Sequence, residues 1–253
     1  MTKLVIQRND STSSWYDTFH IKEKKGMTVL DALFHIQEKV DGSLCFRYSC
    51  RGAVCGSCAM LINRVPRLAC KTQISTIKKE IINESNSNDV LLKNKEMDEF
   101  KEEILIEPLP LPNSNIIKDL VVDLEPFFDL VYSIKPWIDE GRHDNTDPNT
   151  LIEPAMHEKI DQFTNCILCS LCHSICPAFK HDEQYMGPAT LAKAWRYYLD
   201  PRNDQESKND LLNTINTENG VWGCDVVYKC VGICPKKVPP TKGILNLRDV
   251  IKK

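Results

Sequence analysis

Eleven of the twelve cysteines in this 253-residue chain fall into three spaced sets, and Val227 stands where the last set would have one more member. Thiols clustered at fixed short spacings oblige the backbone to wrap around whatever they bind, so they constrain the fold more tightly than any helix or strand propensity. The first set is Cys50, Cys55 and Cys58 in YSCRGAVCGSCAM, followed by Cys70 in RLAC. Its C-x4-C-x2-C spacing with a distant fourth cysteine suits a 2Fe-2S cluster of the plant type. Gly52 and Gly56 are expected to let the loop backbone approach the cluster closely. A zinc site or disulfides would use the same residue type, but zinc knuckles favour two separated C-x2-C pairs and this set has one.

The segment CILCSLCHSICP contains Cys166, Cys169, Cys172 and Cys176, followed by Pro177. This is the bacterial run C-x2-C-x2-C-x3-C-P, in which three cysteines hold one 4Fe-4S cluster and the fourth reaches across to a second cluster. A second run exists at the same spacing: Cys224, Val227, Cys230, Cys234 and Pro235. By the cross-over Cys234 joins Cys166, Cys169 and Cys172 around a 4Fe-4S cluster. Cys176, Cys224 and Cys230 remain. Valine cannot bind iron, so three thiolates point to a 3Fe-4S cluster; a 4Fe-4S cluster with Asp225 or water as fourth ligand stays open. Cys45 stands at x4 spacing before Cys50 without the x2 step that should follow, and is read as a small buried hydrophobe. His173, inside the ligand run, either hydrogen-bonds to sulfur or faces outward.

The remaining sequence limits the function classes. A net charge of −3 leaves no electrostatic footprint for nucleic acid. No run of about 18 apolar residues exists, and the opening MTKLVIQRND alternates like a strand instead of a signal or transit peptide. The chain is therefore expected to be soluble or peripheral, on a reducing, cytoplasmic side where cysteines bind metal more often than they pair.

Two modest domains are expected. Leu4 to Arg8 and Phe19 to Lys22 read as strands, and Thr28 with Asp31 three residues on opens a helix whose Val29, Leu33, Ile36 and Val40 share a face. A strand over Ala59 to Asn63 and a turn at Arg64-Val65-Pro66 complete a β-grasp domain over 1–112. Within it the Lys-, Glu- and Asn-rich stretch 75–101 reads as a surface insertion without chemistry. EPLPLPN, residues 107 to 113, is the joint. From 113 to 253 the chain turns helical, with a helix around Met156 to Phe163. Another starts at Pro188 and carries the core stripe Leu191, Ala194, Trp195 and Tyr198 until Asp200-Pro201, and two more span about 205–216 and 240–252. The fold class is α+β: a β-grasp 2Fe-2S ferredoxin domain followed by an all-α helical ferredoxin domain carrying two clusters.

The order of YSCRGAVCGSCAM, RLAC, EPLPLPN with IIKDLVVD, CILCSLCHSICP, MGPATLAKAWRYYLDPRND and CDVVYKCVGICPKKVPP resembles the iron-sulfur subunit of succinate dehydrogenase and fumarate reductase over nearly the whole chain. The resemblance implies a complex in which a flavoprotein subunit with covalently attached FAD interconverts succinate and fumarate. This subunit would carry single electrons between flavin and quinone through 2Fe-2S, 4Fe-4S and 3Fe-4S clusters, held on the cytoplasmic face of the membrane by an anchor subunit. The family's ligands match Cys50, Cys55, Cys58 and Cys70 for 2Fe-2S, Cys166, Cys169, Cys172 and Cys234 for 4Fe-4S, and Cys176, Cys224 and Cys230 for 3Fe-4S. Spacing alone leads to the same partition.

The departures lie where the family binds quinone. Succinate-oxidising members commonly have a Trp-Trp pair after the Cys-Pro of this run and a His after the next 3Fe-4S cysteine; here Lys180-His181 follow Phe179, and Asp225 follows Cys224. Pro177 carries over, and Trp222 resembles the fumarate-reductase members. His181 and Asp225 are candidates for quinone contact or solvated surface residues. Two other function classes remain: a free-standing soluble electron carrier, and a fumarate reductase fed by thiols, which would be expected to carry a further cysteine-rich domain.

Overall fold

The computed structural model describes residues 1–10, 12–86, 103–138 and 152–253. They form two compact units. The first comprises Met1–Pro110 with Asn115–Asp123, and the second Leu111–Ser114 with Leu124–Lys253. This differs from a single division between 112 and 113: after the Pro-rich joint the chain returns to the first unit for nine residues before leaving it.

The first unit is built on a five-stranded sheet of order β2-β1-β5-β3-β4. Its strands are β1 (Thr2–Asn9), β2 (Ser14–Ile21), β3 (Ala59–Ile62), β4 (Val65–Leu68) and β5 (Ile104–Glu107). β1 pairs in parallel with β5, Leu4 opposite Ile104, while β2 and β4 close the edges antiparallel. Leu4, Ile6, Met60, Ile62, Ile104 and Ile106 are buried. Helix α1 (Val29–Lys39) starts at a reciprocal cap in which the Thr28 hydroxyl accepts from the Asp31 N–H at 3.1 Å and the Asp31 carboxylate accepts from the Thr28 N–H at 2.9 Å. Val29, Leu33 and Ile36 are fully buried, each contributing about 1.5–3 kcal/mol of hydrophobic stabilisation. Val40, expected on that face, is the C-cap residue and exposed.

Two expectations are corrected. The turn after β3 falls at Asn63-Arg64, both at positive φ (49° and 60°), as a two-residue hairpin turn matched to strand twist requires. Val65 and Pro66 are strand residues, and Pro66 is accommodated because β4 is an edge. The stretch expected as a surface insertion opens with helix α2 (Ile74–Asn86), whose Ile74 and Ile77 are fully buried one turn apart. The polar residues between them conceal that face in composition; residues 87–101 lie outside the described ones.

The returning segment forms a hairpin of β6 (Ile116–Lys118) and β7 (Val121–Val122). Between them Asp119, 1% exposed, accepts from the Arg8 Nε at 2.9 Å, the Asn9 N–H at 3.3 Å and the Cys45 N–H at 2.8 Å. Arg8 also donates to Asp17 at 2.9 Å, to Asp41 at 2.5 Å and to Ser43 at 2.9 Å. The hydroxyl and N–H of Ser43, with the Arg8 guanidinium, hold the Asp41 carboxyl down at about 2. This node ties β1 to the loop that leads from α1 into the first cysteine set.

Every described element of the second unit is helical: α3 (Glu125–Ser133), α4 (Pro154–Thr164), α5 (Leu171–Ser174), α6 (Pro188–Leu199), α7 (Gln205–Ile215), α8 (Lys229–Ile233) and α9 (Pro240–Ile251), with short 3-10 turns at Pro177–Lys180 and Val221–Gly223. Its largest core joins Phe179, Tyr185, Leu191, Ala194, Leu211, Ile215, Ile244 and Leu247, with Trp195 and Tyr198 against it. The apolar stripe of α6 is thus core, with Trp195 stacked on Tyr198 at 5.7 Å.

Candidate metal centres

The first set sits on a loop and a hairpin end. Cys58 leads into β3 and Cys70 follows β4 by two residues, so the pairing of Ala59 with Leu68 keeps them adjacent, and the Cys70 N–H donates to the Cys58 sulfur at 3.5 Å. Cys50 is the focus of the loop. The N–H groups of Gly52, Val54 and Cys55 donate to its sulfur at 3.3, 3.3 and 3.2 Å and pull its thiol down to about 6. Burial pushes the Cys58 thiol up to about 12. The loop achieves its curl with left-handed residues at Arg51, Ala53 and Gly56 (φ 54°, 56° and 76°). Of the two glycines of this loop, Gly56 is left-handed and Gly52 is not, and a Cβ on Gly52 would make an ordinary 3.7 Å contact with the Cys50 carbonyl. Arg51 instead lies over the rings of Phe34 and Tyr48 at 4.6 and 5.6 Å.

The two C-terminal runs repeat one backbone shape. Leu168 and Ser170, two and four residues after Cys166, are left-handed; so are Val226 and Tyr228, two and four after Cys224. Short helices α5 and α8 follow, and each ends at an extended cysteine, Cys176 (φ −72°, ψ 120°) or Cys234 (φ −67°, ψ 117°), before proline. In this repeat Val227 holds the place of Cys169. A hollow is lined by Cys166, Cys169, Cys172 and Cys234. A second is lined by Cys176, Cys224, Cys230 and Val227. The last cysteine of each run thus meets the first cysteines of the other, because α5 and α8 pack together.

The chemistry of these donors fits iron-sulfur clusters. Burial, reinforced by neighbouring thiolates, pushes the thiols of Cys169 and Cys176 up to about 11 and raises that of Cys172 well above its ordinary value. Thiols gathered in this way ionise together only around a cationic core that compensates their charge. Among the described residues no three His, Cys, Asp or Glu side chains are gathered for a single metal ion.

The chain matches the model of a 2Fe-2S iron-sulfur cluster binding domain over residues 3–129 and that of a 4Fe-4S dicluster domain over 162–238. It is 35% identical to the fumarate reductase iron-sulfur subunit of Haemophilus influenzae, covering 90% of this chain and 82% of that one. The chain belongs to the succinate dehydrogenase and fumarate reductase iron-sulfur subunits. Within this family it is also 36% identical to the fumarate reductase iron-sulfur subunit of Escherichia coli O157:H7, over 86% and 78% of the two chains. To the mitochondrial succinate dehydrogenase [ubiquinone] iron-sulfur subunit of Dictyostelium discoideum it is 32% identical, over 98% and 81%. A chain of the Mycobacterium smegmatis Sdh1 complex in the apo form shares the fold at a TM-score of 0.75 and 21% identity, over 99% and 95%.

The residues singled out at the departures of this iron-sulfur subunit from its family separate in space. Pro177 and Asp225 line the hollow of the third set. His181 and Trp222 are not among its lining residues. His181 is exposed just past the Pro177–Lys180 turn. Trp222 donates from Nε1 to Asn216 at 2.8 Å and lies beneath Arg248 and Lys252 at 5.5 and 5.6 Å, packing the end of α9.

His173 does not face outward. It is 2% exposed, set edge-on to Phe127 at 4.7 Å, and burial lowers it to about 3, so it is neutral. Its Nδ1 is 3.9 Å from the Cys172 sulfur. Its Nε2 lies where a Cβ on Gly187 would stand, 2.1 Å away, which with a φ of +84° makes glycine obligatory at 187. Three further contributors carry no sequence signal near the cysteines: Asp119, Tyr185 and Thr241.

Cys45 is half-buried, not buried, and its backbone does the structural work: the N–H donates to Asp119 and the carbonyl accepts from the Leu120 N–H at 3.2 Å. Cys45→Ser is therefore expected to leave the EPR spectrum of the reduced 2Fe-2S cluster unchanged. Disappearance of that spectrum would make the sulfur a ligand.

Proposed function

We propose that this chain is the electron-carrying subunit of a succinate:quinone oxidoreductase. In this reading Cys50, Cys55, Cys58 and Cys70 hold a 2Fe-2S cluster, Cys166, Cys169, Cys172 and Cys234 a 4Fe-4S cluster, and Cys176, Cys224 and Cys230 a 3Fe-4S cluster. The observation that carries it is the pair of hollows, one lined by four cysteines and one by three, with Val227 at the repeat position of Cys169. The N-terminal unit is a β-grasp ferredoxin and the C-terminal unit a helical ferredoxin with two clusters. When bound, the clusters supply one-electron redox chemistry at potentials within about −700 to +450 mV, set by type, charge, hydrogen bonds to sulfur and exposure.

The protein's own contribution is to hold and tune. The three N–H groups aimed at Cys50 stabilise its thiolate before any metal arrives. Buried His173 packs beside Cys172 of the second set, edge-on to Phe127. Succinate chemistry belongs to a partner flavoprotein with covalent FAD. At the other end quinone approaches near the third set, a vicinity supported for Pro177 and Asp225, which line its hollow, more than for His181 and Trp222.

No described helix is long and apolar enough to cross a membrane, so attachment to the cytoplasmic face would run through an anchor subunit. Affinity purification from detergent-extracted membranes tests the assembly. A co-purifying flavoprotein that retains FAD after acid precipitation, together with an anchor subunit, is expected. Recovery of the chain alone with three intact clusters would favour a free-standing carrier instead.

A further inference from the structure

The hollow of the third set differs from that of the second in the hydroxyls that face it. Tyr185 and Thr241 both line it, 0% and 1% exposed. The Tyr185 hydroxyl makes no hydrogen bond of ordinary geometry among the described residues, the Cys224 thiol being the polar group set against it, and leaving a buried hydroxyl unpaired costs about 1–3 kcal/mol. An acceptor in the hollow removes that cost. The ring is held from both sides. Phe179 lies at 5.3 Å, and a Cβ on Gly223, the residue before Cys224, would come within 2.8 Å of Cδ2.

Thr241, in the first turn of α9, has its Oγ1 3.1 Å from the Cys230 sulfur. A ligating thiolate has no proton, so the threonine hydroxyl must then be the donor. Around the second hollow the lining hydroxyl is Ser170, and it is already donated to the Cys169 carbonyl at 2.6 Å. Hydroxyl donors are thus concentrated at the third set.

We infer that Tyr185 and Thr241 donate hydrogen bonds to the sulfurs of the third cluster and hold its reduction potential above that of the second. The inference rests on the cluster assignment proposed above. Reduction adds one electron to the iron-sulfur core and no proton moves, so an O–H donor stabilises the more negative, reduced state more than the oxidised one. With both clusters bound, such donors would favour the electron at the third set over the second. Both hydroxyls keep their protons throughout.

The test is an EPR-monitored redox titration of the full chain isolated with its clusters in its complex. Tyr185→Phe and Thr241→Val are each expected to shift the oxidised-to-reduced ratio of the third cluster about tenfold toward oxidised at a fixed potential, about 59 mV for a one-electron couple. Thr241→Ser restores it, and the second cluster does not move. Electron-nuclear double resonance after transfer to D₂O should show fewer exchangeable-proton couplings in each of the first two variants. Unchanged midpoints and couplings in both overturn the inference, as does loss of iron from the third site in both, which marks a packing role. If the unaltered protein lacks the oxidised-state signal at g of about 2, the cluster assignment itself fails, and the inference with it.

Discussion

Val227→Cys is expected to abolish the EPR signal at g of about 2 that the proposed 3Fe-4S cluster gives in the air-oxidised protein, and to leave the third site with a 4Fe-4S cluster. The expectation follows from the repeated backbone of the two runs. Val227 lies between left-handed Val226 and Tyr228, as Cys169 lies between left-handed Leu168 and Ser170, and both positions line their hollows. A cysteine at 227 therefore delivers a fourth thiolate from the same direction as Cys169. The added negative charge disfavours the reduced cluster, so the midpoint falls and transfer to quinone slows. Folding is expected to change by less than about 0.5 kcal/mol, because Val227 is 49% exposed and cysteine is a smaller residue of similar character. A variant that keeps the signal at full intensity would mean that position 227 does not reach the cluster.

Asp119→Ala destabilises the first unit by about 3–5 kcal/mol, because it leaves the buried Arg8 guanidinium without its most buried partner and removes the acceptor of the Asn9 and Cys45 N–H groups. Asp17, whose side chain is 39% exposed, pairs with the same guanidinium, yet Asp17→Ala should cost less than about 1 kcal/mol since water replaces it. Urea unfolding of the cluster-loaded chain, followed by the visible circular dichroism of the 2Fe-2S centre, separates the two. With a slope of about 1–3 kcal/mol per molar urea, the midpoint of the Asp119 variant should fall by roughly 1–5 M. Equal small losses from both variants would remove the node from the account of how the first loop is held.

The parts of this protein that were legible in the sequence are those governed by local rules. The Thr28–Asp31 cap, the start of α6 at Pro188 and its end before Pro201 depend on residues within one turn of each other, and the structure has them where the pattern indicates. The turn lies at Asn63-Arg64, ahead of the Arg64-Val65-Pro66 that the pattern indicates, because Pro66 marks a turn by residue type whereas Arg64 carries no sign of its left-handed backbone. Helix α2 is hidden in the sequence because its charged and polar residues dominate the composition while, among its described side chains, Ile74 and Ile77 are the buried ones. His173 sits between two ligand-run residues, and spacing carries no information on whether such a side chain faces Phe127 or solvent.

By itself the sequence determined the number of thiols per set, the cross-over of the runs and the gap at Val227, since ligand chemistry is written in residue type and interval. Only the tertiary structure decided which non-cysteine groups meet those thiols. Asp119 reaches Cys45 across 74 residues, Thr241 reaches Cys230 from the next helix, and Tyr185 turns toward the third hollow because Gly223 leaves room for its ring. Long-range hydrogen bonds depend on where packed elements bring side chains together, and a separation along the chain does not encode a distance in space.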